Sequence, residues 1–199
     1  LVGHDWGAIT GNALGANAAN PYRRIVTLAV PPLDAMSGVT PGFGQWARLM
    51  PRQARLSWYT LFNQLPVLPE RSFERLVRHL WRVWSPGYDA TEDLDHLMRS
   101  LATTEQRAAA LGYYRAIPRF WSVPDEYADW QATWTAMPTV PTLNLHGADD
   151  GCMQAALAER AASRVPDHVE MRVVPEAGHF LQLEQPAVVN AAVAEFIEA

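Results

Sequence analysis

The feature that most constrains the fold is the pentapeptide GHDWG at residues 3–7, which lies between an apolar strand end and a run of small, helix-compatible residues. Glycines flank Asp5 on both sides, and glycine suits a turn in which the backbone is strained or a strand and helix pack closely. We therefore predict a sharp strand-to-helix turn with Asp5 at its tip and no room for a Cβ atom at Gly3 or Gly7. An ordinary strand followed by a helix-capping aspartate is the alternative interpretation.

Strand and helix patterns alternate in the first and last parts of the chain. The predicted elements besides the first strand are helices at 7–20, 153–163 and 187–198 and strands at 25–30, 142–146 and 169–174. Such alternation is typical of a mostly parallel sheet with helices on both faces, so the sequence predicts the α/β class.

The middle of the chain has a different texture, because long amphipathic stretches replace the strands and seven of the eight tryptophans lie there. We interpret it as an inserted helical cap with helices at 45–55, 58–65, 70–84, 91–99 and 105–117. The predicted division is therefore core at 1–36, cap at 37–138 and core at 139–199.

Composition narrows the classes of function. The chain has 199 residues, is 49% hydrophobic and carries a net charge of −5 with scattered basic residues, so it predicts one sizeable core and no nucleic-acid or membrane-binding patch. The single cysteine, Cys152, excludes an internal disulfide, and no apolar run is long enough to cross a bilayer. We expect a cytoplasmic protein that acts on small neutral molecules, and we interpret Cys152 as a packing residue.

The first residue is Leu1, and it already belongs to a hydrophobic strand. This start resembles neither a signal peptide nor a natural initiation site. We therefore expect a segment upstream of Leu1 and treat the sequence as a fragment.

Reactive side chains follow the predicted strands at the ends where open α/β sheets gather their functional groups. Asp5 follows the first strand and His179 follows the fourth. Asp149 and Asp150 follow the third strand. The order nucleophile, acid, histidine matches the one found in folds that carry the nucleophile on such a strand-to-helix turn. A carboxylate nucleophile attacks saturated, electrophilic carbon and forms an alkyl ester, which water then cleaves.

The chain resembles the α/β-hydrolase superfamily, and within it the epoxide hydrolases, over essentially its whole length. The run GHDWG is similar to the family's nucleophile motif, and Gly178, His179 and Phe180 are similar to the loop of its water-activating histidine. The resemblance implies that Asp5 is the nucleophile and that His179 activates water. Because the family's charge-relay acid lies three residues after a glycine, the resemblance selects Asp150 over Asp149.

The resemblance also implies two cap tyrosines that bind the epoxide oxygen. The segment around Trp58 points to Tyr59, and the segment before Arg115 points to Tyr114, with Tyr113 as its substitute. The backbone N–H of Trp6 is expected to form half of the oxyanion hole. We expect Trp58 and Phe180 to line the hydrophobic cavity for the substrate.

The predicted function is hydrolysis of a hydrophobic epoxide to a vicinal diol through a covalent aspartyl ester. No metal or organic cofactor is expected, because no cluster of ligand-type histidine and cysteine is visible in the sequence. Two alternatives stay open: a haloalkane dehalogenase that uses the same Asp, His and acid, and a truncated, non-catalytic fragment of this fold. The oligomeric state is also open, with a homodimer as one alternative.

Overall fold

A computed structural model describes residues 1–37 and 43–198. Its centre is a parallel sheet in which the strands are ordered as they are in the chain. The strands are β1 (Val2–His4), β2 (Ile25–Leu28), β3 (Thr142–Gly147) and β4 (Val169–Val174). Because all four run in the same direction, their carboxyl ends lie at one edge of the sheet.

Helices fill the connections between the strands. In chain order they are α1 (Trp6–Ala16), α2 (Leu33–Ser37), α3 (Phe43–Leu56), α4 (Trp58–Phe62), α5 (Leu68–Arg71), α6 (Phe73–Trp84), α7 (Thr91–Ser100), α8 (Thr104–Ala116), α9 (Ala128–Ala132), α10 (Ala155–Ala162), α11 (Leu181–Glu184) and α12 (Pro186–Glu198). Two 3₁₀ turns, Ile117–Ser122 and Asp125–Tyr127, precede α9. No helix within the described residues is long and apolar enough to cross a membrane.

Apolar side chains cover both faces of the sheet. On one face, Val189 and Ala192 of α12 pack against the inward residues of three strands, which are Val26, Leu28, Leu143, Leu145 and Val174. The other cluster joins α1, α2 and α10 through Ala8, Ala35, Met36, Leu157 and Ala161. Because both faces of the sheet are covered, every residue of β2 and β3 is buried, and buried residues do not alternate with exposed ones. The predicted α/β sheet is confirmed.

Most of the described residues of the predicted cap are helical. The two 3₁₀ turns and α9 were not predicted, and two of the predicted helices differ clearly in extent. The helix expected at 70–84 is divided into α5 and α6 at Ser72, whose hydroxyl donates a hydrogen bond to the Leu68 carbonyl at 2.7 Å. A serine that bonds its own backbone in this way competes with helix continuation. The helix expected at 58–65 ends earlier, at Phe62. Residues 38–42 and 199 of the predicted divisions lie outside the described residues, and the domain boundaries stay predictions.

The turn between β1 and α1 has the predicted strain. Asp5 has φ 53° and ψ −113°, a left-handed conformation that is costly for a residue with a Cβ atom. Its N–H donates to the Leu28 carbonyl at 3.2 Å, and its carbonyl accepts from the Ala8 N–H at 2.9 Å. These bonds to β2 and α1 hold the turn in place and fix the position of the carboxylate.

The two flanking glycines are not equivalent. A Cβ atom on Gly3 would collide with the backbone carbonyl of Gly7, which confirms the predicted close packing at that position. A Cβ atom on Gly7 would meet no heavy atom within 4 Å, so the same prediction is wrong there. The reason is orientation, because Gly7 turns its exposed Cα away from β1 and only its carbonyl approaches the strand.

We expect Gly3→Ala to lower the free energy of unfolding by about 2 to 3 kcal/mol, because the added methyl group is forced against backbone that cannot move aside. Gly7→Ala is the matched control, and we expect it to be neutral or to stabilise by up to about 1 kcal/mol through helix propensity. Urea unfolding followed by circular dichroism measures both. Equal destabilisation of the two variants would contradict this account of the turn.

Candidate active site

A buried hydrogen bond joins the loops that follow β3 and β4. His179 Nδ1 lies 2.9 Å from Asp150 Oδ2, and both side chains are fully buried. The other carboxylate oxygen of Asp150 accepts from the backbone N–H groups of Cys152 at 2.7 Å and Met153 at 2.9 Å. Asp150 is therefore held by its own loop and in turn fixes the orientation of the imidazole. Asp149 is exposed, whereas Asp150 is buried.

The two loops approach because glycine backbone lies between them. A Cβ atom on Gly147, at the end of β3, would overlap the carbonyl of Gly178 in the histidine loop. The N–H of Asp149 donates to the Ala177 carbonyl at 2.9 Å across the same gap. Only glycine at position 147 permits this close approach of the two loops.

The third group of the site is Asp5, which faces the free side of the imidazole. His179 Nε2 lies 3.4 Å from Asp5 Oδ1. Burial opposes charge on the imidazole, but attraction and hydrogen bonding to Asp150, supplemented by Asp5, outweigh it and raise the pKa of His179 to about 10. Burial likewise opposes the Asp5 carboxylate, but His179 and the Trp6 N–H hold the pKa of Asp5 below its usual value. The Asp150 and Asp5 side chains thus favour the protonated form of the His179 imidazole.

Two further imidazoles lie beside this pair and stay neutral. His4 Nε2 donates to the His179 carbonyl at 2.9 Å, and His146 Nε2 donates to the Met153 carbonyl at 3.0 Å. Burial lowers the pKa of both rings, and His179 lowers it further by repulsion. Their hydrogen bonds to backbone support the histidine loop and the acid loop.

The cap places two tyrosines over Asp5. Tyr59 is buried on α4, and its ring lies 5.6 Å from the ring of Tyr114 on α8 in an edge-to-face arrangement. Trp6 packs 5.3 Å from Tyr114. Burial is the main cause that raises the pKa of both phenols, and the Asp5 carboxylate raises both further. Each hydroxyl therefore keeps its proton beside the carboxylate. Tyr113 is 61% exposed, so the structure places Tyr114 rather than Tyr113 at the site.

The cap and the catalytic loops are joined by contacts that the sequence did not reveal. The carbonyl of Trp84, at the end of α6, accepts from the N–H of His179 at 3.0 Å and of Gly151 at 3.1 Å. The hydroxyl of Ser85 accepts from the Phe180 N–H at 3.1 Å. These bonds connect residues more than 60 positions apart, so no local pattern announces them.

The two predicted substrate-binding aromatics lie in different places. Phe180 is buried and stacks on Trp81 with ring centroids 3.8 Å apart, directly behind His179. Trp58 is 42% exposed and packs with Phe62 and His79 in an outer groove of the cap. One helical step separates Trp58 from Tyr59 and turns the two side chains apart by about 100°. The structure therefore places Tyr59, and not Trp58, beside Cys152 and Tyr114 in the site.

Cys152 is buried in an apolar cluster with Tyr59 and Trp84, which confirms its interpretation as a packing residue, but its thiol also lies beside polar groups of the site. Its Sγ lies 3.4 Å from the Tyr59 hydroxyl. It also forms a cluster with Asp5 and His179 in which the ligand atoms lie within 4.8 Å of one another. Burial, followed by repulsion from Asp150 and Asp5, raises the pKa of the thiol. No pattern in the sequence indicates this cluster, because its three residues come from three separate loops.

Comparisons with known proteins identify the fold family. The family model for the alpha/beta hydrolase fold matches residues 1–186. The human protein named epoxide hydrolase 4 is 26% identical over 208 residues, which cover 100% of this chain and 53% of the relative. The chain thus spans about half the length of that protein.

Solved structures with the same fold include more than one activity. One reported among novel epoxide hydrolases from metagenomes of hot environments is 26% identical, with a TM-score of 0.68 over 98% of this chain and 66% of that chain. A loop variant of a haloalkane dehalogenase from Bradyrhizobium elkanii is 21% identical, with a TM-score of 0.64 over 100% of this chain and 66% of that chain. The fold alone does not separate the two reactions.

We expect Asp150→Asn to lower the pKa of His179, because it removes the attraction that contributes most to the raised value. Asp149→Asn is the matched control and should leave the pKa unchanged. An NMR titration of the imidazole measures both. The His179 contribution to stability is fully present below pH 6.5 and is lost as the pH rises through about 10, so Asp150→Asn should flatten this fall. Identical titration curves for the two variants would contradict the assignment of Asp150.

Proposed function

The chain belongs to the alpha/beta hydrolase fold family, and from this premise we propose that it hydrolyses an epoxide to a vicinal diol through an ester of Asp5. The proposal depends on the close approach of three kinds of reactive group. An ionised carboxylate, an imidazole oriented by a second carboxylate, and two protonated phenols all face the same space.

The first step is attack of an Asp5 carboxylate oxygen on a ring carbon of the epoxide. The strained turn presents the carboxylate at the end of β1, and its lowered pKa keeps it ionised. A C–O bond forms to Asp5 as the C–O bond of the three-membered ring breaks. The product is a hydroxyalkyl ester.

Ring opening requires an acid, because the leaving group is an alkoxide. Tyr59 and Tyr114 hold their protons in the buried site, and their hydroxyls are the donors for the departing oxygen. Halide leaves as a stable anion and needs no proton. The pair of tyrosines therefore favours an epoxide over a haloalkane as the substrate.

The second step is hydrolysis of the ester. Esterification removes the charge of Asp5 and with it one cause of the raised His179 pKa, so the imidazolium can release its proton and compensate for the one given to the alkoxide. Neutral Nε2 then takes a proton from water, whose oxygen attacks the ester carbonyl of Asp5. The Trp6 N–H is oriented to stabilise the oxyanion, and His179 returns its proton to the departing diol.

The relatives support this assignment at the level of their names. The human relative and the hot-environment structure are both called epoxide hydrolases, each with 26% identity to this chain. The dehalogenase structure, at 21% identity, supports the fold. The substrate class thus depends on the tyrosines and the carboxylate rather than on the comparisons.

We expect His179→Gln to form the ester and then stop, because the water-activating base is missing. Mass spectrometry of the protein after incubation with styrene oxide should show an increase equal to the mass of the epoxide. Asp5→Ala should show no such increase and no diol, so it is the control for labelling elsewhere. Full turnover by Asp5→Ala, or wild-type turnover in ¹⁸O-water that leaves Asp5 unlabelled, would overturn the mechanism. Release of halide from haloalkanes with no diol from epoxides would select dehalogenation instead.

We expect Tyr59→Phe and Tyr114→Phe each to slow ester formation. The double variant should form the ester about 10² to 10⁴-fold more slowly, which is the usual range for general acid catalysis. Tyr113→Phe is the control on the same helix as Tyr114, and its exposed side chain should leave the rate unchanged. Single-turnover kinetics measure the step directly. If Tyr113→Phe were slow and Tyr114→Phe were normal, the placement of the acid on α8 would be wrong.

A further inference from the structure

Three side chains of the site together offer a set of metal-ligand atoms, and the proposed hydrolytic mechanism does not use this set as a unit. They are the carboxylate of Asp5, the thiol of Cys152 and the Nε2 atom of His179, and their ligand atoms all lie within 4.8 Å of one another. Carboxylate, thiolate and imidazole are the three ligand types that Zn²⁺ takes in proteins. Asp5 is partly exposed, while Cys152 and His179 are buried.

The distances suit a single ion. With bonds of about 2.1 Å from zinc to nitrogen and oxygen, two ligands of a tetrahedral site lie roughly 3.4 Å apart. The distance from His179 Nε2 to Asp5 Oδ1 is already 3.4 Å. The fully buried Nε2 also has no well-aligned hydrogen-bond partner among the described residues, so it is aimed at the centre of the cluster.

The surroundings of His179 resemble those of a metal-binding histidine. Its Nδ1 atom bonds the Asp150 carboxylate at 2.9 Å, which is the outer contact that fixes the ring of a zinc ligand and increases its basicity. Asp150 is in turn held by two backbone N–H groups. The outer contacts that would orient His179 as a metal ligand are thus already present without an ion.

From this geometry we infer that Asp5, Cys152 and His179 bind a thiophilic divalent cation of the zinc class, with the fourth position open toward the substrate space. Binding forms one S–Zn, one N–Zn and one O–Zn bond, and the protons of the thiol and of the imidazolium pass to solvent. No oxidation or reduction takes place. Hard cations such as Mg²⁺ are excluded because a thiolate is a poor ligand for them.

The consequence for turnover rests on the proposed function. The ion uses the nucleophile and the base as ligands, so a zinc-loaded site has neither a free carboxylate nor a free Nε2. Zinc should therefore inhibit hydrolysis, in competition with the epoxide. Binding itself can be measured without any substrate.

The test is a titration of the full chain with CdCl₂ and ZnCl₂ in a thiol-free buffer. Cys152 is the only cysteine of the sequence, so the ultraviolet charge-transfer absorption of a cadmium–thiolate bond reports on this site alone. We expect one cadmium per chain, displaced by Zn²⁺ and unaffected by Mg²⁺. Calorimetry gives the affinity for Zn²⁺.

We expect Cys152→Ser to abolish the absorption, and Cys152→Ser and Asp5→Asn each to weaken zinc binding by about 100-fold or more. Asp150→Asn, which removes only the outer contact, should weaken it by about 10 to 100-fold. His96→Gln is the control, because that imidazole is exposed and pairs with Glu92 on α7. Circular dichroism shows whether each variant is folded. If Cys152→Ser does not fold, Asp5→Asn still tests the site.

Zinc binding with wild-type affinity in Cys152→Ser or Asp5→Asn, or loss of zinc binding in His96→Gln, would overturn the inference. So would the absence of a cadmium–thiolate absorption in the wild type. If zinc binds as described and epoxide turnover continues unchanged, the metal site stands and the roles proposed for Asp5 and His179 in turnover fail.

Discussion

The hydrogen bond between His179 and Asp150 is the interaction on which the whole site depends. Both side chains are fully buried, so the charges that it joins have lost their hydration and are stable only as a pair. The pairing requires two loops to meet at the same edge of the sheet, which the parallel order of β3 and β4 provides. It also requires Gly147 to lie against the Gly178 carbonyl. Sheet topology and a missing Cβ atom thus determine the charge state of the imidazole.

In the proposed mechanism, the inserted helices act through position as much as through chemistry. The end of α6 supplies the Trp84 carbonyl, which bonds both the histidine loop and the acid loop, while α4 and α8 bring Tyr59 and Tyr114 above Asp5. A shift of α6 would therefore disturb the His179 backbone directly. The packing of one helical layer thus connects the two tyrosines that we propose as proton donors with the loop of His179, the proposed base.

Local patterns in the sequence predicted the strands, most helices and the residues at the strand ends, because periodicity and turn chemistry are local properties. They did not predict that Gly7 lacks close neighbours, nor that Trp58 faces an outer groove while Tyr59 faces the site. Both depend on the angle at which an element is placed, which only tertiary packing fixes. The location of Cys152 beside Tyr59 had no signal for the same reason, since 93 positions separate the two residues.

A site that holds a thiol and a carboxylate within 4.8 Å of each other raises the question of which one attacks. Burial and two neighbouring carboxylates raise the pKa of Cys152, while the imidazolium lowers that of Asp5. At neutral pH the anion is therefore the carboxylate, although a thiolate is the stronger nucleophile. The same electrostatic field that keeps the thiol protonated is negative enough to attract a cation. A divalent ion bound there would reverse the order, because a coordinated thiol loses its proton outright.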